Sequence, residues 1–423
     1  MFHFENSLVF ANHLDAEDTL KEYRSRFYIP QKDGKDLIYF CGNSLGLQPK
    51  KAKEYIDSEL EDWKEHGVEG HFVGKRPWFS YHTPFEQPVS RLVGALPHEV
   101  VIMNSLTVNL HLMLISFYRP TKERHKILIE GGAFPSDNYA VESHLRNHGY
   151  NPDEALIELT PRAGEYTMRT EDILDLINKE GDSIALIMLG GVNYYTGQAF
   201  DMEAITKVGH QKGCLVGFDL AHAAGNLKLR LHDWGVDFAV WCSYKYLNSG
   251  PGGTSGAFVH ERWANSPEIP RLAGWWGYEE STRFKMEKGF KPSYGASGWQ
   301  LSNAQILPMA AHLASLEIFD EVGMDALRAK SDLLTGFLDY LIRDNMQKHN
   351  EESFTIITPA APKDRGAQIS LLALKNGKEL FNKLTSKGII ADWREPNVIR
   401  VAPTPLYNTF EEVFRFVEVL FGK

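Results

Sequence analysis

Cysteine is scarce. Cys41, Cys214 and Cys242 are the only three in 423 residues, an odd number with no CxxC spacing, which excludes a disulfide framework and a structural zinc site built on thiolates. Long apolar runs are missing as well. The longest candidates, Leu112–Phe117 and Ile184–Leu189, fall far short of the about 20 residues that a membrane span needs. Basic excess is absent: 45 Lys and Arg against 55 Asp and Glu leave a formal net charge of −10, so the surface offers no counterion-release stripe for nucleic acid. Neither HExxH nor HxH occurs despite sixteen histidines, GxxxxGK[ST] is absent, and no self-similar period runs along the chain. The N-terminal MFHFENSLVFANHLDAEDTL has early acids, no basic n-region and no sustained apolar stretch, so no secretory leader is expected. These absences leave a soluble, reducing-compartment protein as the default, cytoplasmic, without membrane or nucleic-acid partners and without a metal.

What is present reads as α/β. Hydrophobic residues make up 43% and charged residues 24%, a balance that supports a large core. Short apolar runs at Lys126–Glu130, Leu156–Leu159, Ile184–Leu189, Leu215–Asp219, Phe238–Cys242 and Gly256–His260 alternate with helical patterns such as Glu171–Lys179 and Met202–Lys212. That alternation predicts a mostly parallel sheet covered by helices. Near residue 310 the texture changes to two consecutive helices broken at Gly323. A smaller α+β region follows, with strands at Phe354–Thr358, Ala367–Ala373 and Val398–Val401 around a helix at Gly377–Lys387. The expected organisation is a large α/β domain at 41–309 and a smaller domain built from 1–40 and 310–423.

The chemistry concentrates between Val216 and Glu261. One buried strand ends in Asp219, with His222 three residues on, and the next ends in Ser243-Tyr244-Lys245. In an open parallel sheet the ligand crevice lies at the carboxyl ends of the strands, so Asp219, His222 and Lys245 should converge there. Gly250, Gly252, Gly253 and Gly256 let the chain turn tightly past the lysine. A partly desolvated lysine can condense with an aldehyde, and an aspartate beside it can hold a protonated pyridine nitrogen. Pyridoxal 5′-phosphate requires that combination. In MNSLTVNLHLMLISF, Asn104 or Ser105 stands at an N-cap, so the N–H groups near Leu106 and Thr107 face outward, a ready anion site. FPSD, Phe134 to Asp137, follows a strand and emerges at the same edge. There the phenylalanine can stack on a ring and the aspartate can support it by hydrogen bonding.

Nine stretches, in this order and spacing, resemble the kynureninase family in the class V branch of the fold-type I pyridoxal-phosphate enzymes. They are YFCGNSLGLQPK, VGKRPWF, MNSLTVNLHLML, FPSDNYA, FDLAHAAGN, CSYKYLNSGPGG, GWWGYEESTRFKM, SNAQILP and IRVAPTPLYN. The resemblance implies a fold-type I transferase-like large domain and a homodimer with shared active sites. It implies hydrolytic Cβ–Cγ cleavage of kynurenine or 3-hydroxykynurenine to alanine and anthranilate or its 3-hydroxy form, serving tryptophan catabolism or NAD biosynthesis. It assigns Lys245, Tyr244 and Asp219 to catalysis, and Leu106, Thr107, Phe134, Asp137, Asp219, His222, Tyr244, Lys245, Trp275 and Asn303 to the cofactor, the last two from the neighbouring subunit. Arg400, Ser44, His71 and Asn303 fall to the substrate. Arg400 is the expected partner of the α-carboxylate, since its planar fork pairs bidentately. His71 and Asn303 match the pair that accommodates a ring hydroxyl, so 3-hydroxykynurenine is the expected preference. One position departs: Gly190 stands where many relatives carry serine, and Asn193 nearby receives no role. The nearest alternatives share the fold. A cysteine desulfurase needs a mobile cysteine in the C-terminal part, and none follows Cys242; an aminotransferase is the other.

Overall fold

The computed structural model describes residues 3–266 and 269–422. Seven strands form the central sheet: β1 (Val100–Met103), β2 (Lys126–Glu130), β3 (Leu156–Leu159), β4 (Ile184–Gly190), β5 (Leu215–Asp219), β6 (Phe238–Trp241) and β7 (Ser255–Val259). Their order is β1-β7-β6-β5-β4-β2-β3. β2 to β6 run parallel, whereas β7 is antiparallel to both neighbours, β6 and β1. The mostly parallel sheet is thus present, with β2, β3 and β5 at the expected limits and β4, β6 and β7 moved by one residue. β1 was not foreseen, because a four-residue apolar run directly before a capped helix has no periodicity of its own.

Both faces of the sheet are covered, which is why its strands read as continuous apolar runs instead of alternating ones. Ile127, Ile129, Leu186, Met188 and Val240 enter one apolar layer with Leu110, Met113 and Phe117 of the helix Leu106–Phe117 and with Val141 and Leu145 of Pro135–Asn147. Leu128, Ile187, Leu189, Phe218 and Ala239 enter the other with Ile173, Ile177 and Ile205.

A second, antiparallel sheet lies toward the C-terminus: β8 (Phe354–Ile356), β9 (Ile369–Ala373), β10 (Asp392–Arg394) and β11 (Val398–Val401), in the order β8-β9-β11-β10. Its core joins Ile369, Leu371, Ile399 and Val401 to Ala11 and Leu14 of the helix Leu8–Glu17 and to Val413, Phe416 and Val417 of Phe410–Leu420. Positions 1–2 and 423 of the expected small domain lie outside the described residues. The helix Ile306–Val322 crosses the boundary expected at 309 and buries Met309, Leu313, Leu316 and Phe319 on the large core. The cores change hands inside the next helix, Met324–His349, between Leu327 and Leu334. Among the described residues, no helix is long and apolar enough to cross a membrane.

Candidate active site

The parallel strands stop side by side, and their ends carry the chemistry. Asp219 closes β5 opposite Gly190 at the end of β4, and Glu130 closes β2. Beyond β6 the chain passes through Cys242 and Ser243 to Tyr244 and Lys245, then turns back through Gly250 and Gly252, both at positive φ (95° and 65°) that a side chain would resist. Behind the lysine, the 41–48 loop is tied to the same turn by Gly46 N–H donating to the Tyr244 carbonyl at 2.8 Å. A cavity of about 240 Å³ opens at these strand ends. Eight of the expected residues line it: Leu106, Thr107, Phe134, Asp137, Asp219, His222, Tyr244 and Lys245.

Lys245 Nζ lies 3.0 Å from His222 Nε2 and 5.9 Å from the centre of the Phe134 ring. Burial pushes the His222 pKa well below the ordinary imidazole value, and the lysine charge adds to the shift. The imidazole is therefore neutral and can accept from the ammonium. Asp219 accepts the Ala221 N–H at 2.7 Å and is hydrogen-bonded to Asp137. Burial raises both carboxyls, and Asp137 is raised further by the adjacent Asp219 and Glu130. Two carboxyls in contact share a proton instead of carrying two charges. Burial, followed by the Cys242 thiol that its hydroxyl contacts, also raises the Tyr244 phenol, which holds its proton at neutral pH.

At the opposite wall the helix Leu106–Phe117 begins. Ser105 is extended there (φ −117°, ψ 164°) but makes no side-chain capping bond, so the N–H groups of the first turn are left for another acceptor. The N-cap expected at Asn104 or Ser105 therefore falls on Ser105.

Arg400 projects from β11 and is fully buried. Its guanidinium donates to the Tyr194 carbonyl at 2.7 Å and to Ser44 Oγ at 3.2 Å, and pairs with Asp392 at 2.9 Å. Ser44 in turn donates to Asp392. Tyr194 lines the cavity and stands edge-on to Phe134, with ring centres 5.2 Å apart, so the arginine reaches the rim through Tyr194.

Neither Arg400 nor Ser44 lines the cavity directly, and Trp275, Asn303 and His71 are not brought to it by their own chain. Trp275 is 43% exposed and donates through Nε1 to the Arg283 carbonyl; Asn303 is exposed ahead of the helix Ile306–Val322; His71 ends a short turn with Nδ1 3.0 Å from the Val68 carbonyl. Gly190, the position noted as departing from its relatives, lines the cavity, together with Glu130, Val192 and Tyr194, to which the sequence assigned no role there. The signal for Glu130 was available, since it is the last residue of an apolar strand in the same sheet as Asp219.

Among the described residues, Glu99, His232 and His260 form a separate cluster of possible metal donors. Glu99 already accepts the Leu96 and Glu261 N–H groups, and His260 Nδ1 accepts the Arg262 N–H, so these lone pairs are spent on the backbone.

The class-V aminotransferase family model matches residues 38–349, and the kynureninase C-terminal domain model matches residues 327–420. Similar curated proteins include the kynureninase of Koribacter versatilis, 56% identical over 98% of this chain and 97% of that protein. The kynureninase of Myxococcus xanthus is 57% identical over 99% and 98%, and that of Homo sapiens 50% over 97% and 91%. Among solved structures, the cysteine desulfurase of Thermococcus onnurineus superposes with a TM-score of 0.73 at 17% identity, covering 90% of this chain and 93% of its own. The cystine C–S lyase C-DES with its product cysteine persulfide gives 0.72 at 18% identity, over 91% and 97%. Those two likenesses are of fold.

Proposed function

The chain belongs to the kynureninase family, and from that membership and the cavity at Lys245 we infer a pyridoxal-phosphate-dependent hydrolase that cleaves the Cβ–Cγ bond of kynurenine-type amino acids. The observation that carries this reading is the convergence of a lysine amine, the buried carboxyls of Asp137 and Asp219 and an uncapped helix N-terminus on one cavity.

The residues fit the cofactor. Its phosphate needs N–H donors, and the first turn at Leu106 and Thr107 has them free of any side-chain cap. Its ring needs a flat partner and a fixed charge at the nitrogen; Phe134 supplies the first and Asp219, backed by Asp137, the second. Buried His222 Nδ1 and Glu130 Oε2, both without a partner, face a space shaped for polar matter. When bound, the cofactor supplies an aldehyde for the substrate amine and a ring that accepts the electron pairs released at Cα and Cβ.

Lys245 would hold the aldehyde end of the group, and its amine would move the proton at the substrate Cα, with neutral His222 as its hydrogen-bond partner. Asp219 keeps a proton on the ring nitrogen. Arg400 takes the substrate α-carboxylate at the Tyr194 rim, with Ser44 and Asp392 fixing the plane of its guanidinium. Water supplies hydroxide to the γ-carbon, so the aromatic acid leaves as Cβ–Cγ breaks, and protonation at Cβ, for which Tyr244 holds a proton, gives alanine. In this reading residues 41–309 carry the cofactor, while the region built from 1–40 and 310–423 carries Arg400.

Three finer proposals follow. The protein works as a homodimer in which Trp275 and Asn303 enter the partner's site, since neither reaches its own. His71 and Asn303 select 3-hydroxykynurenine, because polar groups left unpaired by kynurenine penalise it. Free thiols at Cys41, Cys214 and Cys242 suit the cytoplasm. The test is to give the cofactor-loaded protein each substrate separately and quantify alanine with the matching aromatic acid. Stoichiometric alanine and 3-hydroxyanthranilate with the higher kcat/KM are expected. A kynurenine preference overturns the pocket assignment, and no alanine from either overturns the reaction.

A further inference from the structure

Glu130 is the third carboxyl of the cavity floor, and none of the catalytic steps above uses it. It ends β2, is 4% exposed, and points into the cavity beside Asp219. Oε1 accepts from Asn193 Nδ2 at 3.3 Å, and Oε2 is buried with no hydrogen-bond partner. The direction of the Asn193 amide is not free. Its Oδ1 accepts from Tyr195 N–H at 3.1 Å, Thr196 N–H at 2.9 Å and the Thr196 hydroxyl at 3.0 Å, so its NH2 must face Glu130. Gly190 leaves the room: a Cβ there would stand 3.2 Å from Glu130 Oε1 and 3.4 Å from Oε2. The two positions that sequence reasoning left unexplained, Gly190 and Asn193, thus meet on one carboxyl.

The charges around Glu130 decide what it can be. Asp219 faces it from β5, Asp137 from the helix Pro135–Asn147, and Lys245 and His222 from the turns after β6 and β5. The imidazole is neutral, so three carboxyls face a single ammonium in a water-poor floor. They cannot all ionise. Asp219 has a backbone N–H and nearby Lys245 to hold a charge, and Asp137 shares a proton with it. Glu130 is met by neutral groups, the Asn193 amide and the Gly190 backbone.

We propose that Glu130 is a proton-holding positioning residue of this site: a neutral carboxylic acid, oriented by Asn193 and accommodated by Gly190, that leaves Asp219 as the charge directed at the cofactor ring. The inference rests on the reading that the cavity holds pyridoxal phosphate. Burial, reinforced by Asp219 and opposed by the Asn193 amide and the Gly190 backbone, raises its pKa to about 7, so the proton would be lost near neutrality. Its ionisation would then place a second negative charge beside Asp219 and change the field on the bound ring.

The test uses the cofactor-loaded protein and its Glu130→Gln variant, a neutral isostere. Bound cofactor absorbance and release stoichiometry establish first, and separately, that the cavity holds the group. Absorbance is then titrated against pH, with the cofactor dissociation constant measured at pH 6. The wild type should show an inflection near 7 that E130Q lacks, while affinity at pH 6 stays within about threefold. An inflection unchanged in E130Q, or a tenfold weaker cofactor at pH 6, would overturn the proposal, because the carboxyl would then be irrelevant or already ionised. Should E130Q fail to fold, infrared difference spectra of the wild type decide: a protonated-carboxyl band that disappears through neutral pH is expected, and its absence refutes the assignment.

Discussion

Arg400 has no water to fall back on. Its guanidinium is shared among Asp392, Ser44 and the Tyr194 carbonyl, and the charge survives burial because each of its nitrogens meets an oxygen. A lysine at 400 keeps the charge but loses the planar fork and at least one of these bonds. A hydrogen bond to a charged group contributes roughly 1.5–3 kcal/mol, so Arg400→Lys should raise KM by about 10- to 100-fold with a smaller effect on kcat. Steady-state kinetics check this, and an unchanged KM removes Arg400 from the substrate carboxylate. Glu130 carries a second residue-scale prediction. Its pKa is raised by burial from 4.5 to about 7, so between these values the unfolded chain gives up the proton before the folded one does. Stability from this group is present below pH 4.5 and lost as pH rises toward 7, on the order of 3 kcal/mol across the window. Denaturant unfolding of wild type and Glu130→Gln at pH 5 and pH 7 should show a shallower pH slope in the variant; equal slopes would contradict it. Lys245 and Asp219 were legible in the sequence because a strand that stops in a charged residue announces a crevice. Glu130 obeys the same rule, but it lacked a nearby motif to single it out.

At the scale of elements, what was legible followed periodicity, and what was not depended on contacts between distant segments. β2, β4 and β5 were visible as apolar runs because both faces of the sheet are buried around them. The reversed direction of β7 was not, since orientation is set by pairing with β1 and β6 and leaves no mark on composition. The helix Lys51–His66 illustrates the second class. Its Glu59 is buried and accepts from Arg76 Nε at 2.8 Å, Trp78 Nε1 at 3.0 Å and the Tyr81 hydroxyl at 2.9 Å. One carboxylate thereby fixes the 67–81 segment that carries His71, whose ring stands edge-on to Trp78 at 5.4 Å. Glu59→Ala would strand the Arg76 charge and two further donors. Breaking a buried pair this way costs about 3–5 kcal/mol, and chemical denaturation should show a loss of that order. A change below about 1 kcal/mol would mean that the segment is held by its aromatic contacts alone.

In the proposed dimer, each chain completes the partner's site. Trp275 and Asn303 are exposed on one chain and His71 is half-buried, and exposed Phe284 packs against both Phe72 and Trp275, which are themselves exposed. Phe79 stacks on both Phe72 and Phe284 and stands edge-on to Trp276. A two-fold dimer would cover these rings and carry Trp275 and Asn303 to the partner's cavity in the same step, since an isologous interface uses one surface twice. Mixed dimers make the difference measurable. A Lys245→Ala chain lacks the amine but keeps Trp275; a Trp275→Ala chain has the reverse. If each site takes its lysine from one chain and its tryptophan from the other, every mixed dimer contains one intact site and one doubly defective site. Random assortment makes half of the dimers mixed, so co-expression of two variants that are each nearly inactive should restore about a quarter of wild-type turnover. If each chain used its own Trp275, both sites of every mixed dimer would be defective, and activity would remain at the level of the separate variants.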